Sequence, residues 1–262
     1  MIAMIQGLTE FLPVSSSAHL ILLPALTGAA DQGLAIDVAV HVGTLFAVIA
    51  YFRRDVGQAA LGTLQLLRGR IETPAARLAL HLLIATLPVV GAGLMFKLTG
   101  LDDLLRSVEV IGWAMIIFGL VLYWADRTGP IVLSSRDWKA KDALIMGFAQ
   151  ALALIPGTSR SGITITAARR LGYGREGAAT LAMLMSIPTI IASGTLLGSD
   201  VIASADWEVA RAGLIAAGFS FIAALVALTL MMRLLRSVSF TPYVWYRIFL
   251  GVVLLWVTYR PI

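Results

Sequence analysis

The sequence has no cysteine, and only 13% of its 262 residues are charged. Without cysteine the chain has no disulfide, no thiol nucleophile and no ligand for an iron–sulfur cluster. The low charge is the stronger restriction, because about 25% of the residues of a soluble domain are charged. With 59% hydrophobic residues, the chain cannot cover a water-facing surface with polar groups. The composition therefore predicts a protein surrounded by membrane lipids.

The net charge of +5 is the one feature that could indicate nucleic-acid binding. Such binding needs an exposed basic face, and no basic stretch with interleaved aromatic residues is visible. Lys and Arg also gather in the cytoplasmic loops of membrane proteins. We therefore expect no nucleic-acid partner and interpret the basic residues as markers of topology.

Hydrophobic runs divide the chain into spans and interrupted segments. Two apolar stretches, 1–27 and 143–171, are each broken by a proline followed by clustered hydroxyl residues, which end one helix and cap the next. Irregular backbone at membrane depth survives only when it is buried in protein or lines a cavity. Both stretches are therefore predicted to be re-entrant helical hairpins. A span needs roughly 20 mostly apolar residues, and six stretches qualify: 33–52, 78–97, 108–125, 176–198, 210–232 and 243–259.

The order hairpin, three spans, charged loop, hairpin, three spans indicates an internal repeat. At an offset of 143 residues, Pro13 falls on Pro156 and Ser16 on Ser159. Three spans per half is an odd number, so the second half is inverted, and such repeats build a site near the bilayer midplane. The predicted fold is an all-α polytopic membrane protein: one domain, 1–262, six transmembrane helices and two re-entrant hairpins in inverted repeats 1–126 and 140–262.

Charge predicts the orientation. If the loop 53–77 is cytoplasmic, 14 Lys and Arg residues lie on the cytoplasmic side and 4 on the outer side, as the positive-inside rule requires. The first hairpin then enters from outside and the second from the cytoplasm, so their tips can meet.

Arg160 is the most informative residue of the second hairpin. An intramembrane arginine costs at least about 2.5–3.5 kcal/mol on insertion scales and should pair with an anion. Its planar fork matches phosphate oxygens, and free N–H groups at the start of a helix bind anions. The alternative is that Arg160 only holds the hairpins together by pairing with Glu10. Arg247 lies nearer a helix end, where we expect it to snorkel in a structural role. The predicted substrate-binding hydroxyls around Arg160 are Thr158, Ser159, Ser161 and Thr164.

The first hairpin supplies a carboxylate, hydroxyls and an imidazole. Gln6 and Glu10 are four residues apart and share a helix face, where their oxygens could hold a divalent cation, Mg²⁺ or Ca²⁺. Glu10 could instead act as a general base. For His19 the alternative is an ordinary buried, hydrogen-bonded histidine. Ser15 and Ser17, next to Ser16, are candidates for substrate binding and equally for helix capping.

Asp37 and His41 are also four residues apart, within the first span. We expect them to form a hydrogen-bonded pair that supports the site from behind.

These two hairpins resemble the signatures of the undecaprenyl-diphosphate phosphatase family, also called the bacitracin-resistance family. The first signature is Glu or Gln, three residues, Glu, then Leu-Pro-Val-Ser-Ser and a nearby His, which residues 6–19 match. The second is Pro-Gly-x-Ser-Arg-Ser-Gly-x-Thr, which residues 156–164 match. The chain departs from other members in carrying Gln6 where they carry Glu, which removes one carboxylate from the metal ligands.

The resemblance implies a phosphatase of the bacterial inner membrane that depends on a divalent cation. Its substrate would be undecaprenyl diphosphate, converted to the monophosphate at the outer face. This reaction recycles the lipid carrier of wall synthesis and, by removing the target of bacitracin, confers resistance. The oligomeric state stays open, with a homodimer as one alternative.

Phosphoryl transfer depends mainly on neutralised charge and in-line positioning. In the predicted site Arg160 grips the diphosphate, Glu10 holds the cation or accepts a proton, and Ser16 is the nucleophile. His19 is its base or orienting group, or itself the nucleophile in a competing assignment. A transporter or lipid flippase with the same inverted repeats is the alternative function, since fold alone does not fix function.

Overall fold

The computed structural model describes residues 1–20, 33–101, 105–204 and 207–260. Apart from short 3₁₀ turns and one isolated bridge between Leu133 and Tyr173, its regular structure in these ranges is α-helical. The helices are α1 (Ile2–Thr9), α2 (described over 16–20), α3 (Gly33–Tyr51), α4 (Arg53–Leu67), α5 (Pro74–Thr99), α6 (Val108–Thr128), α7 (Ala140–Ala151), α8 (Arg160–Leu171), α9 (Arg175–Ser204), α10 (Trp207–Leu234) and α11 (Thr241–Tyr259).

Five of these helices are long and apolar enough to cross a membrane: α5, α6, the first 21 residues of α9, α10 and α11. A sixth span results if α3 and α4, which meet at a 95° bend, are counted together. The five helices overlap five of the predicted spans, and α3 alone overlaps the sixth, 33–52; the structure thus confirms an all-α, multi-pass membrane protein. Residues 53–67, within the segment predicted to connect two spans on the cytoplasmic side, form helix α4, and the side of the membrane stays a prediction.

Both predicted interruptions are present. Helix α1 gives way to turns over 10–14, and α2 begins at Ser16. Helix α7 runs into a 3₁₀ turn at Leu152–Leu154, and α8 begins at Arg160. How deep each interrupted segment enters the bilayer, and from which face, stays a prediction.

The two breaks share an unusual local geometry. The residue before each new helix is a serine with positive φ, 71° at Ser15 and 70° at Ser159, in a region that non-glycine residues seldom adopt. In each break this serine's hydroxyl lies 3.2 Å from that of the serine two residues later, Ser17 and Ser161 respectively. The equivalent serines are 144 residues apart, one residue more than the offset that relates the prolines. The inverted relation of the complete halves stays a prediction.

Each helix that leads into a break packs closely on a span from the other part of the chain. Helix α1 contacts α10 at Gly7, where a Cβ atom would lie 2.5 Å from the carbonyl oxygen of Ser220. Helix α7 contacts α5 at Gly147, where a Cβ atom would lie 2.6 Å from the carbonyl oxygen of Ala85. Glycine at these two positions lets backbones approach as closely as they do in small-residue membrane interfaces. This crossed packing brings the two breaks together.

A buried charge cluster joins the C-terminal ends of α6 and α8. Asp126 accepts from Nε of Arg169 at 3.3 Å and from Nε of Arg175 at 2.7 Å. Arg169 also donates to the carbonyl oxygens of Gly129 and Tyr173. On the predicted orientation, this cluster marks the cytoplasmic end of the molecule.

Candidate active site

Glu10 is the point at which the two breaks meet. Its carboxylate is buried, and Oε1 accepts a hydrogen bond from Nη2 of Arg160, 150 residues away in the sequence. No other hydrogen-bond acceptor contacts the Arg160 guanidinium within the described ranges, so most of its N–H donors are free. The pair compensates the charge of Arg160 and still leaves donors for a second anion.

The second oxygen of Glu10 organises the first break. Oε2 accepts from the Ser16 hydroxyl at 2.6 Å and from the Gln6 amide at 2.7 Å. Turns over 10–14 separate Glu10 from the start of α2, and the hydroxyl at that start contacts the carboxylate at the end of α1. Four residues predicted for the site, Gln6, Glu10, Ser16 and Arg160, therefore form one connected group.

His41 extends this group through Gln6. Its Nδ1 lies 2.7 Å from the main-chain oxygen of Asp37, which only accepts, so Nδ1 must donate. In the neutral imidazole Nε2 is then an acceptor, and the Gln6 amide, 3.1 Å away, donates to it. This contact orients the Gln6 amide. Since His41 bonds to the main chain of Asp37 and not to its carboxylate in this contact, the supporting role expected for the pair stays a prediction.

His19 contacts a residue that the sequence did not suggest. Its Nδ1 donates to the main-chain oxygen of Ser15 at 2.7 Å, and its Nε2 accepts from the Tyr246 hydroxyl at 2.5 Å, with the two rings stacked in parallel. Within the described chain the Ser16 hydroxyl makes its hydrogen bond to Glu10 and none to His19. Glu10 is therefore the group placed to take the Ser16 proton, whereas His19 contacts Ser15 and Tyr246.

The hydroxyls of the second break bond mainly within the protein. Ser159 accepts from the N–H of Gly162 and caps α8, and Thr164 donates to the main-chain oxygen of Arg160. Ser161 donates to the carbonyl oxygen of Leu12 at 2.9 Å, which ties the second break to the first. The Thr158 hydroxyl is different: it is buried with no partner among the described residues. Direct substrate contact by these four residues stays a prediction.

Arg247 is, after Tyr246, the second residue whose contacts the sequence did not predict. The expectation that it snorkels is wrong, because its side chain in α11 is completely buried. It donates to main-chain oxygens of both breaks, including Pro13 and Gly157. Hydropathy places Arg247 in a span but gives no sign of which segments it faces.

The residues at the centre fit a hard cation only in part. The Gln6 oxygen Oε1 is buried with no partner in the described chain, while the nitrogen of the same amide donates to the Glu10 carboxylate. However, no group of three or more His, Cys, Asp or Glu side chains with metal-binding geometry occurs in the described ranges. Mg²⁺ commonly binds to one or two carboxylates together with substrate phosphates. The donor set therefore fits a cation that is completed by the oxygens of a phosphate ligand.

Both breaks and both remote partners, Tyr246 and Arg247, fall inside a single family match. The family described as bacitracin resistance protein BacA matches residues 1–253. The chain belongs to this family. The match confirms the resemblance found in the two sequence signatures and extends it to α11.

Curated members of the BacA family are similar over almost their entire length. A Roseobacter denitrificans protein named undecaprenyl-diphosphatase is 69% identical over 255 residues, covering 97% of this chain and 96% of that protein. The protein of the same name from Dinoroseobacter shibae is 67% identical, covering 99% and 97%. A more distant one from Chromohalobacter salexigens is 47% identical, covering 98% and 97%.

Proposed function

We propose that this protein hydrolyses undecaprenyl diphosphate to undecaprenyl phosphate and inorganic phosphate. The reaction recycles the lipid carrier for cell-wall synthesis and removes the target of bacitracin. Membership of the BacA family and the names of its close relatives support this function. The observation that carries it is the group in which Arg160, Glu10 and Ser16 meet, because it joins an anion-binding cation, a base and a hydroxyl at one point.

Arg160 is the residue that binds the diphosphate group of the substrate. Its guanidinium has N–H donors that contact no other acceptor in the described chain, and it lies at the first position of α8, whose N-terminus favours anions. A diphosphate oxygen would replace or share the contact that Arg160 now makes with Glu10. Bidentate binding of this kind positions the terminal phosphorus for in-line attack.

The reaction proceeds in two steps. The Ser16 oxygen attacks the terminal phosphorus, its proton passes to Oε2 of Glu10, and the bond from phosphorus to the bridging oxygen breaks, releasing undecaprenyl phosphate. Glu10 gives this proton to the oxygen of the departing undecaprenyl phosphate and is a carboxylate again. Water then attacks the phosphoserine and gives its proton to Glu10, which returns it to the leaving Ser16 oxygen, and inorganic phosphate is released. The 2.6 Å contact between Ser16 and Glu10 supports this assignment. His19, held by Ser15 and Tyr246, orients the phosphate, or is itself the phosphorylated residue in the competing assignment.

A divalent cation, Mg²⁺ or Ca²⁺, would complete the site. In the alternative to its role as base, Glu10 would hold this cation together with the Gln6 amide oxygen, and phosphate oxygens and water would supply the remaining ligands. The bound cation would neutralise charge on the diphosphate. With Gln6 in place of a second carboxylate, the protein itself would bind the free ion weakly.

The distribution of charge supports a location in the bacterial inner membrane with the site open to the outer face. Lys and Arg concentrate on the side of the 53–77 and 126–142 segments, which the positive-inside rule places in the cytoplasm. The substrate of wall synthesis is released on the opposite, outer side, where the first interrupted segment would enter.

The decisive experiment is phosphate release by the purified protein in detergent, with C55 or C15 prenyl diphosphate as substrate. We expect turnover in the presence of Mg²⁺ or Ca²⁺ and none with Glu10→Ala. Transport or flipping of a polyprenyl phosphate in vesicles without any phosphate release would refute the proposal and favour a carrier. Trapping a phosphoenzyme and mapping it to Ser16 or His19 decides between the two nucleophiles.

A further inference from the structure

Arg247 carries a charge in a fully buried position. Its side chain has 0% exposure, and it forms no ion pair with any residue that the structure describes. A buried guanidinium without a carboxylate partner is costly unless hydrogen bonds satisfy its donors. Such a residue within an apolar helix therefore needs a reason to be there.

Among the described residues, every acceptor of Arg247 is a main-chain oxygen, and these oxygens come from three separate segments. Nη1 donates to Pro13 at 3.4 Å in the first break. Nη2 donates to Gly157 at 3.0 Å and Thr158 at 2.8 Å in the second break. Nε donates to Met115 at 3.3 Å in α6. One guanidinium thus connects both breaks to each other and to a neighbouring span.

The carbonyl groups that Arg247 holds lie directly before the two helix starts. Pro13 precedes the positive-φ residue Ser15 by two positions, and Thr158 immediately precedes Ser159. The guanidinium also lies against the first turn of α8, since a Cβ atom at Gly162 would be 2.7 Å from Nη1. A change in its position would therefore shift the start of both helices.

We propose that Arg247 is a positioning residue that fixes the separation of the two helix starts, so that Ser16 and Arg160 both contact the carboxylate of Glu10. The inference rests on the proposed phosphatase function. Arg247 acts through main-chain carbonyls and contacts neither substrate nor the reacting atoms. Lysine cannot replace it, because a single ammonium group cannot reach carbonyls in three segments as the five-donor planar fork does.

The test compares Arg247→Lys with a matched control, Arg169→Lys. Arg169 is also almost fully buried and also donates to main-chain oxygens, but it lies in the Asp126 cluster at the other end of α8. We expect Arg247→Lys to lower kcat about 100-fold, the order of loss that a shift of about 1 Å in a reacting group can cause. KM should change less than about threefold, and Arg169→Lys should lower melting temperature while leaving kcat of the folded protein within about twofold.

Equal losses of kcat in the two variants, or an unchanged kcat in folded Arg247→Lys, would overturn the proposal. A second readout is independent of activity. Because the chain has no cysteine, Ser17→Cys introduces a unique thiol beside the start of α2, and its reaction rate with a maleimide reports the geometry of the first break. Arg247→Lys should change this rate and Arg169→Lys should not; equal rates in all three backgrounds would contradict positioning. If the wild-type protein releases no phosphate, the phosphatase function fails, and the labelling rates still decide whether Arg247 holds the breaks.

Discussion

Ser16 donates a 2.6 Å hydrogen bond to Glu10, six residues before it in the sequence. No continuous helix brings these positions together in this way, because residues six apart lie on different faces. The contact exists because turns over 10–14 interrupt the helix and α2 starts anew. The interruption therefore places the Ser16 hydroxyl against the buried Glu10 carboxylate, whose other oxygen accepts a hydrogen bond from the Arg160 guanidinium.

The first prediction concerns this hydroxyl–carboxylate pair. Ser16→Ala removes the nucleophile and Glu10→Gln removes the proton acceptor, so each should reduce phosphate release at least about 10³-fold. Ser186→Ala is the control, because it also removes a hydrogen-bonded serine hydroxyl, one that is buried and bonds to the carbonyl oxygen of Met183 within α9. Rates are measured as phosphate released per folded protein. Substantial turnover by Ser16→Ala would exclude Ser16 as the nucleophile and favour the competing assignment, His19.

The second prediction concerns the guanidinium of Arg160 in the second break. Arg160→Ala should lose about 10³-fold in kcat/KM, and Arg160→Lys should recover only part of it, because lysine lacks the planar fork that fits phosphate. The matched control is Arg170→Gln, at the exposed, opposite end of the same helix, where the arginine contacts Thr128 and Trp124. If Arg160→Ala binds and hydrolyses substrate normally, the Glu10–Arg160 pair only holds the breaks together.

How much of this site the sequence reveals depends on the range over which its residues interact. Gln6, Glu10 and Ser16 are close in sequence, and the proline and hydroxyl cluster predict the break between them. Arg160 stands out because a charge in an apolar segment needs a partner. Tyr246 and Arg247 could not be found in this way, since an apolar span gives no information about which neighbouring segments its polar residues face.

The same limit explains the differences in the fold. Hydropathy locates the six spans, because each requires about 20 apolar residues. It does not show the 95° bend after Tyr51, where basic residues begin a second, amphipathic helix. Nor does it show that the positive-φ serines, Ser15 and Ser159, correspond at an offset one residue longer than the prolines; a backbone angle leaves no mark on composition.

The third prediction concerns the divalent cation. Removing it with a chelator should abolish phosphate release, and Mg²⁺ or Ca²⁺ should restore it. Gln6→Glu adds a carboxylate and should lower the cation concentration needed for half-maximal rate, whereas Gln6→Leu should raise it. Gln150→Leu is the control: Gln150 is 144 residues later, is equally buried and also has an unpaired oxygen, but its amide bonds to Thr189. Activity that is fully retained in excess chelator would exclude a required cation.

The fourth prediction concerns orientation. Single cysteines can be introduced without background, because the natural chain has none. A cysteine in place of Glu72 should be protected from a membrane-impermeant maleimide in intact cells, and one in place of Arg106 should react. Both positions are exposed in the structure, so the difference reports the side of the membrane. The opposite labelling pattern would invert the topology and move the opening of the site to the cytoplasm.

The last prediction concerns the crossed packing that brings the breaks together. Gly7→Ala would place a methyl group 2.5 Å from the carbonyl oxygen of Ser220, so α1 must move away from α10. We expect a loss of about 1–3 kcal/mol in stability, the usual cost of overpacking, seen as a lower melting temperature in detergent. Gly218→Ala, in α10 itself, meets no atom within 4 Å and should stabilise the helix by about 0.5–1 kcal/mol. Because α1 carries Gln6 and leads into Glu10, Gly7→Ala should also reduce kcat in the fraction that remains folded. Equal melting temperatures for the two variants would show that α1 does not need this close approach.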